Sequence, residues 1–350
     1  MLTSDFYPMP FTDKLIHWYL THKRDLPWRN TNDPYLIWLS EIILQQTRVA
    51  QGLPYFLTFT SHFPQVSDLA GANEEKVLRL WQGLGYYSRA RNLHKTAIHI
   101  ANDLDGKFPD NYRDLLKLRG VGEYTAAAIA SFAYDEAVPV VDGNVFRVLS
   151  RYFDVETDIA NSSAKTGFSK LAFGLMPKDS PAIFNQAIME FGALQCVPKN
   201  PDCGKCPLNS GCLALKYNKV GQLPVKSKKA KPKERFFNYL VYIDEADQTQ
   251  IVKRTGKGIW NSLYEFPLVE VHEPGDVTGY NGATANKNDV ISIKSLDSKS
   301  TVHKLTHQTL NISFTEIKVK GKLDDGVAIS ELGRYPFPIV LHNFIQKHWN

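Results

Sequence analysis

The 17 residues from Cys196 to Cys212 read CVPKNPDCGKCPLNSGC and contain every cysteine of the 350-residue chain. Their spacing is Cys-X6-Cys-X2-Cys-X5-Cys. Thiols this close in sequence do not join distant loops, and a chain without a secretory signal is expected in a reducing compartment, where disulfides rarely persist. We therefore interpret Cys196, Cys203, Cys206 and Cys212 as metal ligands.

Two kinds of metal centre commonly take four thiolates, a structural zinc ion and an iron-sulfur cluster. Structural zinc sites usually pair two short knuckles across a longer gap, whereas here Cys196 stands apart from a compact trio of cysteines. The spacing favours a [4Fe-4S] cluster, and zinc stays open on spacing alone.

Length and composition predict about two globular domains, since 43% of the 350 residues are hydrophobic. No apolar run is long enough to span a bilayer, and residues 1–10 lack the charged and apolar regions of a signal peptide. We expect a soluble, cytoplasmic protein with no membrane partner. Lysines and one arginine crowd the stretch from Lys226 to Arg235 around a single acid, Glu234. Such a run is typical of a solvated linker or of a segment that contacts a polyanion.

The pattern is helical up to about Leu215 and changes to strands beyond the basic stretch. Asp33-Pro34 and Ser180-Pro181 each place a capping residue before a proline at the first helical position. We expect a helical domain over residues 1–222, a basic linker over 223–235 and a mixed domain over 236–350. The mixed domain is predicted to contain strands at 236–243, 250–253 and 311–318, a closing helix at 338–349 and an exposed loop at 273–289.

A tight turn is predicted where residues 118–122 read LRGVG, between helices at 111–118 and 124–133. Together residues 111–133 have the pattern of a helix-hairpin-helix. Two glycines let the backbone turn sharply and bring amide N–H groups near a helix N-terminus up to a phosphate, which holds DNA without reading its sequence. The candidate DNA-binding residues of the turn are Gly120, Val121 and Gly122.

Three further motifs carry a family resemblance. Residues 40–47 read SEIILQQT, residues 140–145 read VVDGNV, and the cysteines follow in the spacing quoted above. With the hairpin, these motifs make the chain resemble the MutY-type adenine DNA glycosylases of the helix-hairpin-helix superfamily over nearly its whole length. The resemblance implies an all-α helix-hairpin-helix glycosylase domain with an iron-sulfur cluster loop, followed by an α+β Nudix-like domain. Arg119 departs from the proline that is usual in the family hairpin.

The local sequence supports different chemistry for two carboxylates. Glu41 lies inside an apolar helix, where burial is expected to raise its pKa and fit it to protonate a leaving base. Asp142 directly precedes a predicted helix at 143–152, whose N–H groups are expected to keep it ionised. A neutral acid and a carboxylate are the pair that cleavage of a glycosidic bond requires.

The resemblance assigns roles to these and other residues. It implies that Glu41 protonates an extruded adenine at N7, that Asp142 stabilises or captures the sugar cation, and that Tyr124 and Asn144 complete the site. Bifunctional relatives carry a lysine at the Tyr124 position to cut the strand, so a monofunctional glycosylase is expected. By the same resemblance, Gln46 and Tyr86 fill the gap that the extruded base leaves.

The C-terminal part resembles the family's Nudix-like domain. Residues 258–260 read GIW and 265–267 read EFP, as in the early segment of that fold, but the carboxylates that would bind magnesium are absent after Pro267. The domain is therefore expected to recognise a lesion without hydrolysing a nucleotide. Thr306 and His307 fall in the loop that inspects 8-oxoguanine in the family, and Leu305 replaces its usual phenylalanine.

The resemblance thus implies a nucleoid-associated monomer that excises adenine opposite 8-oxoguanine or guanine in double-stranded DNA, as a hydrolase of N-glycosyl bonds in base excision repair. Its expected cofactor is the [4Fe-4S] cluster. Two alternatives remain at this stage. One is a related mismatch glycosylase acting on thymine, and the other is a non-catalytic iron-sulfur protein that binds DNA.

Overall fold

The computed structural model describes residues 8–227, 231–271, 290–296 and 300–349. They fall into two compact units, Met1–Ala70 with Lys95–Lys228 and Gly71–His94 with Lys229–Asn350. The predicted loop at 273–289 lies outside the described residues, as do Lys228 and Lys229 of the basic stretch. Within those ranges, no helix is long and apolar enough to cross a membrane.

The first unit is helical, as predicted, and its described residues contain no strand. Helix α6 is shared between the two units, because the boundary follows His94. The helices before the basic stretch are α1 Pro8–His22, α2 Pro34–Leu44, α3 Val49–His62, α4 Val66–Ala70, α5 Glu74–Leu80, α6 Ser88–Asp103, α7 Tyr112–Leu115, α8 Glu123–Tyr134, α9 Gly143–Phe153, α10 Ser162–Leu175, α11 Pro181–Leu194 and α12 Leu213–Lys216, with short 3-10 helices at Pro27–Arg29 and Asn209–Gly211.

The two predicted helix starts differ in how they are capped. Asp33 accepts a hydrogen bond from the Tyr35 N–H at 2.8 Å, and Pro34 occupies the first helical position, so α2 begins as predicted. Ser180 precedes α11 but makes no side-chain cap. Its hydroxyl instead contacts Asp179 Oδ1 at 3.3 Å, which corrects the predicted cap while leaving the proline start in place.

One apolar core of the first unit is built by α1, α9, α10 and α11. Their fully buried side chains include Phe11, Val145, Phe168 and Phe184, which belong to one apolar cluster. The partly buried Cys196 and Cys206 pack against this cluster. The cysteine segment is therefore joined to the helix that follows Asp142.

The second unit is built on a mixed sheet with the strand order β5-β1-β8-β6, in which β7 also pairs with β8. Strand β1 runs parallel to β8, with Tyr239 opposite Phe314, and antiparallel to β5. Phe344 stacks on Phe314 with ring centroids 3.7 Å apart, so the closing helix covers one face of the sheet. The elements are β1 Lys233–Ile243, β2 Gln248–Gln250, β3 Val252–Lys253, β4 Tyr264–Glu265, β5 Leu268–Val271, β6 Val290–Ser295, β7 Thr301–Lys304, β8 Gln308–Val319, β9 Gly326–Ala328, a 3-10 helix at Ile329–Arg334 and α13 Ile339–Trp349.

Two sequence-based boundaries change. The strand predicted at 250–253 is two short strands, because β2 pairs with β9 and β3 turns to pair with β4. Strand β1 begins at Lys233, inside the predicted linker, since its first residues pair with β8 and Arg235 forms an ion pair with Glu270 at 2.6 Å.

The segment Gly71–His94 belongs to the second unit, although its sequence is helical like the first. Arg91 Nη1 donates to the Asn261 carbonyl at 2.5 Å, and Lys253 pairs with Glu75 at 2.7 Å. The Tyr264 hydroxyl also donates to Glu75, at 2.8 Å. These contacts explain why the compact units divide the chain differently from the domain ranges expected from sequence.

Candidate active site and DNA-contact residues

Glu41 lies on α2, a helix with nearly every side chain from Tyr35 to Ile43 buried. Its own exposure is 7%. Burial, together with the charge of Asp142, raises the pKa of Glu41 to about 7, against the lowering effect of the hydrogen bond that the Tyr124 hydroxyl donates to it. Glu41 can therefore hold a proton near neutral pH, as the apolar sequence around it predicted.

Asp142 caps α9, as predicted. Its Oδ1 accepts from the backbone N–H groups of Asn144 and Val145, both at 2.8 Å, and its Oδ2 accepts from Asn144 Nδ2 at 2.8 Å. Burial raises the pKa of Asp142, whereas these hydrogen bonds and the charge of Arg147 lower it. The sequence-based reasoning considered only the N–H groups, and burial outweighs them.

Tyr124 is the second residue of α8, directly after the hairpin. Burial and the charges of Glu41 and Asp142 raise the pKa of its hydroxyl well above the ordinary value. The hydroxyl therefore keeps its proton and acts as a hydrogen-bond donor to Glu41. The structure thus brings the three predicted residues together from α2, α8 and the N-cap of α9.

Glu41, Tyr124 and Asp142 line two cavities. An open cleft of about 1250 Å³ includes them, the hairpin glycines and part of α10. A smaller cavity of about 610 Å³ is lined by the same three residues, Asn144 and Trp28. A volume of this size, with an aromatic ring and a few polar groups, suits a nucleobase.

An ion-pair cluster in the smaller cavity was missed by the sequence reasoning. Glu190 has a fully buried side chain, which Arg24 Nη2 contacts at 2.6 Å and Arg29 Nη2 at 2.7 Å. Burial favours a higher pKa for Glu190, but the bonds from the two arginines outweigh it and bring the pKa to about 2. The only local signal was an acid on the apolar helix α11, because its partners lie more than 160 residues away.

Arg147 is a second residue that the sequence reasoning missed. Its guanidinium donates to Asn144 Oδ1 at 2.8 Å, to the Gly192 carbonyl at 2.6 Å and to the Cys196 carbonyl at 2.7 Å. A Cβ on Gly192 would lie 2.6 Å from the Asn144 Cβ, so glycine permits the close approach of α11. Arg147 thus joins Asn144, which donates to the cap residue Asp142, to the start of the cysteine segment. An arginine among the buried Val145, Val148 and Leu149 was the available signal.

The hairpin has the backbone that its glycines predict. Gly120 is exposed and adopts φ +75°, a conformation that L-residues rarely take, and Gly122 stands at the N-cap of α8. Val121 is buried, and its N–H donates to the Leu118 carbonyl at 3.1 Å. The glycines thus present exposed backbone, while Val121 anchors the turn in the helical unit.

The two residues that are predicted to fill the gap left by an extruded base both have a strained backbone conformation. Gln46 adopts φ +57° and Tyr86 φ +48°, and both side chains are exposed. Gln46 belongs to the first unit and Tyr86 to the second. Non-glycine residues at positive φ cluster at functional sites, where the surrounding structure holds the strain.

Thr306 and His307 lie exposed in the turn between β7 and β8. The Leu305 N–H donates to the Gln308 carbonyl at 2.8 Å and closes this turn. The Thr306 hydroxyl forms a hydrogen bond with the Tyr86 hydroxyl. Tyr86, which is predicted to fill the gap, is therefore in contact with Thr306, which is predicted to inspect the opposite base. The two residues are 220 positions apart in the chain and lie in the second unit.

All four cysteines line one small cavity, which Arg151 also lines. Arg151 is buried, and its guanidinium donates to Cys196 Sγ at 3.4 Å and to the Val197 carbonyl at 2.8 Å. Among the described residues, no three His, Cys, Asp or Glu side chains converge as ligands of a single ion. The four predicted ligands nevertheless line the same cavity, next to the helix that Asp142 caps. They are Cys196, Cys203, Cys206 and Cys212.

Two family models match the chain in the order that the fold suggests. The model described as HhH-GPD superfamily base excision DNA repair protein matches residues 39–172, and that of a NUDIX domain matches residues 238–347. The adenine DNA glycosylase of Buchnera aphidicola subsp. Schizaphis graminum is 37% identical over 303 residues, which cover 86% of each protein. The chain belongs to the adenine DNA glycosylase family.

Solved structures support the fold of this adenine DNA glycosylase family member. A thermostable thymine-DNA glycosylase is 31% identical, with a TM-score of 0.55 over 59% of this chain and 95% of that one. A non-covalent endonuclease III–DNA complex shares the fold at 22% identity, with a TM-score of 0.52 over 59% of this chain and 94% of that one. Glu41, Tyr124 and Asp142 lie within the span matched by the glycosylase superfamily model.

Proposed function

We propose that the chain is an adenine DNA glycosylase of base excision repair that hydrolyses the N-glycosidic bond of an extruded deoxyadenosine. The observation that carries the proposal is the placement of Glu41, whose pKa is raised to about 7, in one cavity with a second carboxylate, Asp142. Cleavage through an oxocarbenium-like transition state uses such a pair of carboxyl groups in different environments.

Each residue has a role in this reaction. Glu41 donates its proton to N7 of adenine, so the base leaves as a neutral molecule, and the Tyr124 hydroxyl orients the Glu41 carboxyl group. Asp142, held by Asn144, places negative charge beside the sugar cation, and a water molecule adds to C1′ of the sugar and loses a proton to complete the hydrolysis. Tyr124 stands where bifunctional relatives carry lysine, and a tyrosine hydroxyl cannot form a Schiff base with the sugar. The enzyme therefore removes the base and leaves the strand uncut.

The substrate in this proposal is adenine opposite 8-oxoguanine, with guanine as a poorer partner. The exposed Thr306 and His307 read the opposite base, and the strained Gln46 and Tyr86 occupy the gap left in the stack. The bond between Tyr86 and Thr306 supports a shared role for these residues.

The four cysteines suit a [4Fe-4S] cluster as the cofactor. They line one cavity together, and four thiolates form a complete ligand set for such a cluster. When bound, the cluster supplies a covalent crosslink of the segment from Cys196 to Cys212. The hydrogen bonds of Arg147 and Arg151 then fix this segment to α9. Stoichiometric iron in purified protein supports the assignment, and stoichiometric zinc with full activity overturns it.

Removal of mismatched thymine is a second candidate, because a solved thymine-DNA glycosylase shares the fold at 31% identity. The match to that structure covers 59% of this chain. The match to the Buchnera adenine DNA glycosylase covers 86% and has the higher identity, 37%. We therefore favour adenine as the substrate.

Substitution of Glu41 tests the proposed chemistry. Glu41→Gln removes the proton donor while leaving phosphate contacts alone, so single-turnover adenine release should fall by about two to four orders of magnitude with duplex binding retained. Glu156→Gln is the matched control, because Glu156 is an exposed acid of the same unit outside both cavities. Near wild-type release by the Glu41 variant would overturn the assignment.

A further inference from the structure

One side of the open cleft is formed by residues of α10 that have no role in the proposed chemistry. Its lining includes Ser162, Lys165, Thr166 and Ser169 of this helix. Their spacing of three and four residues places them on one helical face, and the helix contains no acidic residue. A neighbouring face packs into the core through Ala164, Phe168, Ala172 and Leu175.

Every one of these four cleft-lining residues carries a hydrogen-bond donor, and Lys165 adds a positive charge. The cleft runs without interruption from Glu41 and Asp142 to the hairpin glycines and to these residues of α10. A nucleotide extruded toward Glu41 brings its two flanking phosphates into the same cleft. Hydroxyl and ammonium groups are common partners of DNA phosphates.

We propose that this face of α10 binds the phosphodiester backbone of the DNA strand that carries the extruded nucleotide. The strand is then held from two sides, by the hairpin amides and by α10. This inference rests on the proposed function, since it places the extruded nucleotide at Glu41.

An ion pair links the two sides in the free protein. Lys165 Nζ contacts Glu123 Oε2, and Glu123 is the first residue of α8, directly after the hairpin. Their side chains are 45% and 57% exposed. Exposed ion pairs of this kind contribute little to stability. A phosphate can therefore replace Glu123 as the partner of Lys165 with little loss of free energy. Lys165 also offsets the negative charge of Glu123 beside the phosphate-binding turn.

The salt dependence of DNA binding tests the contact. A duplex with 2′-fluorinated deoxyadenosine opposite 8-oxoguanine resists cleavage and permits equilibrium titration over a salt series. Lys165→Gln should weaken binding about two- to tenfold and reduce the slope of log K against log salt by about 0.7 to 0.9. Lys165→Arg retains the positive charge and should therefore keep the wild-type affinity and the wild-type slope. Lys178→Gln is the matched control, because Lys178 is exposed, lies beyond the end of α10 and does not line the cleft.

Lys165 could favour DNA binding by contacting a phosphate or only by neutralising Glu123. Repeating the measurement in Glu123→Gln protein distinguishes these two explanations. In Glu123→Gln protein, Lys165 has lost its acidic partner, and Lys165→Gln should still reduce the slope by about 0.7 to 0.9. An unchanged slope in that background, or equal effects of Lys165→Gln and Lys178→Gln, overturns the inference. Adenine release from an unmodified duplex is measured separately, so its absence contradicts the proposed function without deciding this test.

Discussion

At the residue scale, the raised pKa that suits Glu41 to donate a proton also makes the stability of the fold depend on pH. The folded protein holds a proton on Glu41 between the ordinary pKa of 4.5 and the folded value of about 7, where the unfolded chain has released it. Folding therefore becomes less favourable as pH rises from about 4.5 through about 7. Above that range, the buried charge costs about 3 kcal/mol.

Replacing Glu41 by glutamine should remove this pH dependence. We expect Glu41→Gln to have a free energy of unfolding close to that of the wild type near pH 4.5 and to exceed it by about 2 to 3 kcal/mol at pH 8. Denaturant unfolding at the two pH values measures the difference. A gap between the two proteins that does not change with pH contradicts the raised pKa.

Sequence reasoning succeeded at residues whose environment is local. The apolar neighbours of Glu41 on its own helix predicted the direction of its pKa, and Asp142 was placed at a helix start. Arg147 and Glu190 were missed because their partners come from other segments. Arg147 reaches Cys196 across 49 positions. No local pattern encodes contacts at such separations.

At the element scale, Asp142 combines an N-cap with a candidate catalytic charge, and two substitutions separate them. Asparagine caps as well as aspartate, so Asp142→Asn should retain stability within about 0.5 kcal/mol, whereas Asp142→Ala should cost about 1 kcal/mol. Both should lose most of the adenine release, since both lack the carboxylate. Thermal unfolding and single-turnover release measure the two effects, and an active Asp142→Asn variant would exclude the electrostatic role.

Element boundaries followed from sequence where the backbone signal was local. Pro34 after Asp33 marked the start of α2, and the turn at residues 118–122 was marked by its glycines. The break of the strand predicted at 250–253 was not visible, because the two halves choose different partners, β9 and β4. Strand β1 extends into the basic stretch because β8 offers a long parallel partner.

At the scale of the whole molecule, the feature hardest to predict was which segments of the chain form the second unit. Gly71–His94 has a helical sequence, yet it packs with the strands through Glu75 and Arg91. Its partners Lys253 and Asn261 lie 178 and 170 positions further along the chain. As a result, Tyr86 and Thr306 belong to the same unit.

Discrimination between 8-oxoguanine and guanine should depend on the turn between β7 and β8. Replacing Thr306 and His307 together by alanine should reduce the ratio of affinities for the two duplexes about ten- to hundredfold, while single-turnover release from the saturated complex is spared. Thr301→Ala, an exposed change on β7 outside the turn, is the control. An unchanged ratio in the double variant would place discrimination in the helical unit.

Base release from defined duplexes tests the central claim most directly. The full-length protein is incubated in excess with duplexes that carry adenine opposite 8-oxoguanine, adenine opposite guanine, or thymine opposite guanine, and each sample is divided before alkali treatment. We expect fast loss of adenine opposite 8-oxoguanine, slower loss opposite guanine, intact thymine, and strand breaks only after alkali, because Tyr124 offers no amine for a Schiff base. Loss of thymine with adenine retained, or strand cleavage before alkali, would contradict the account.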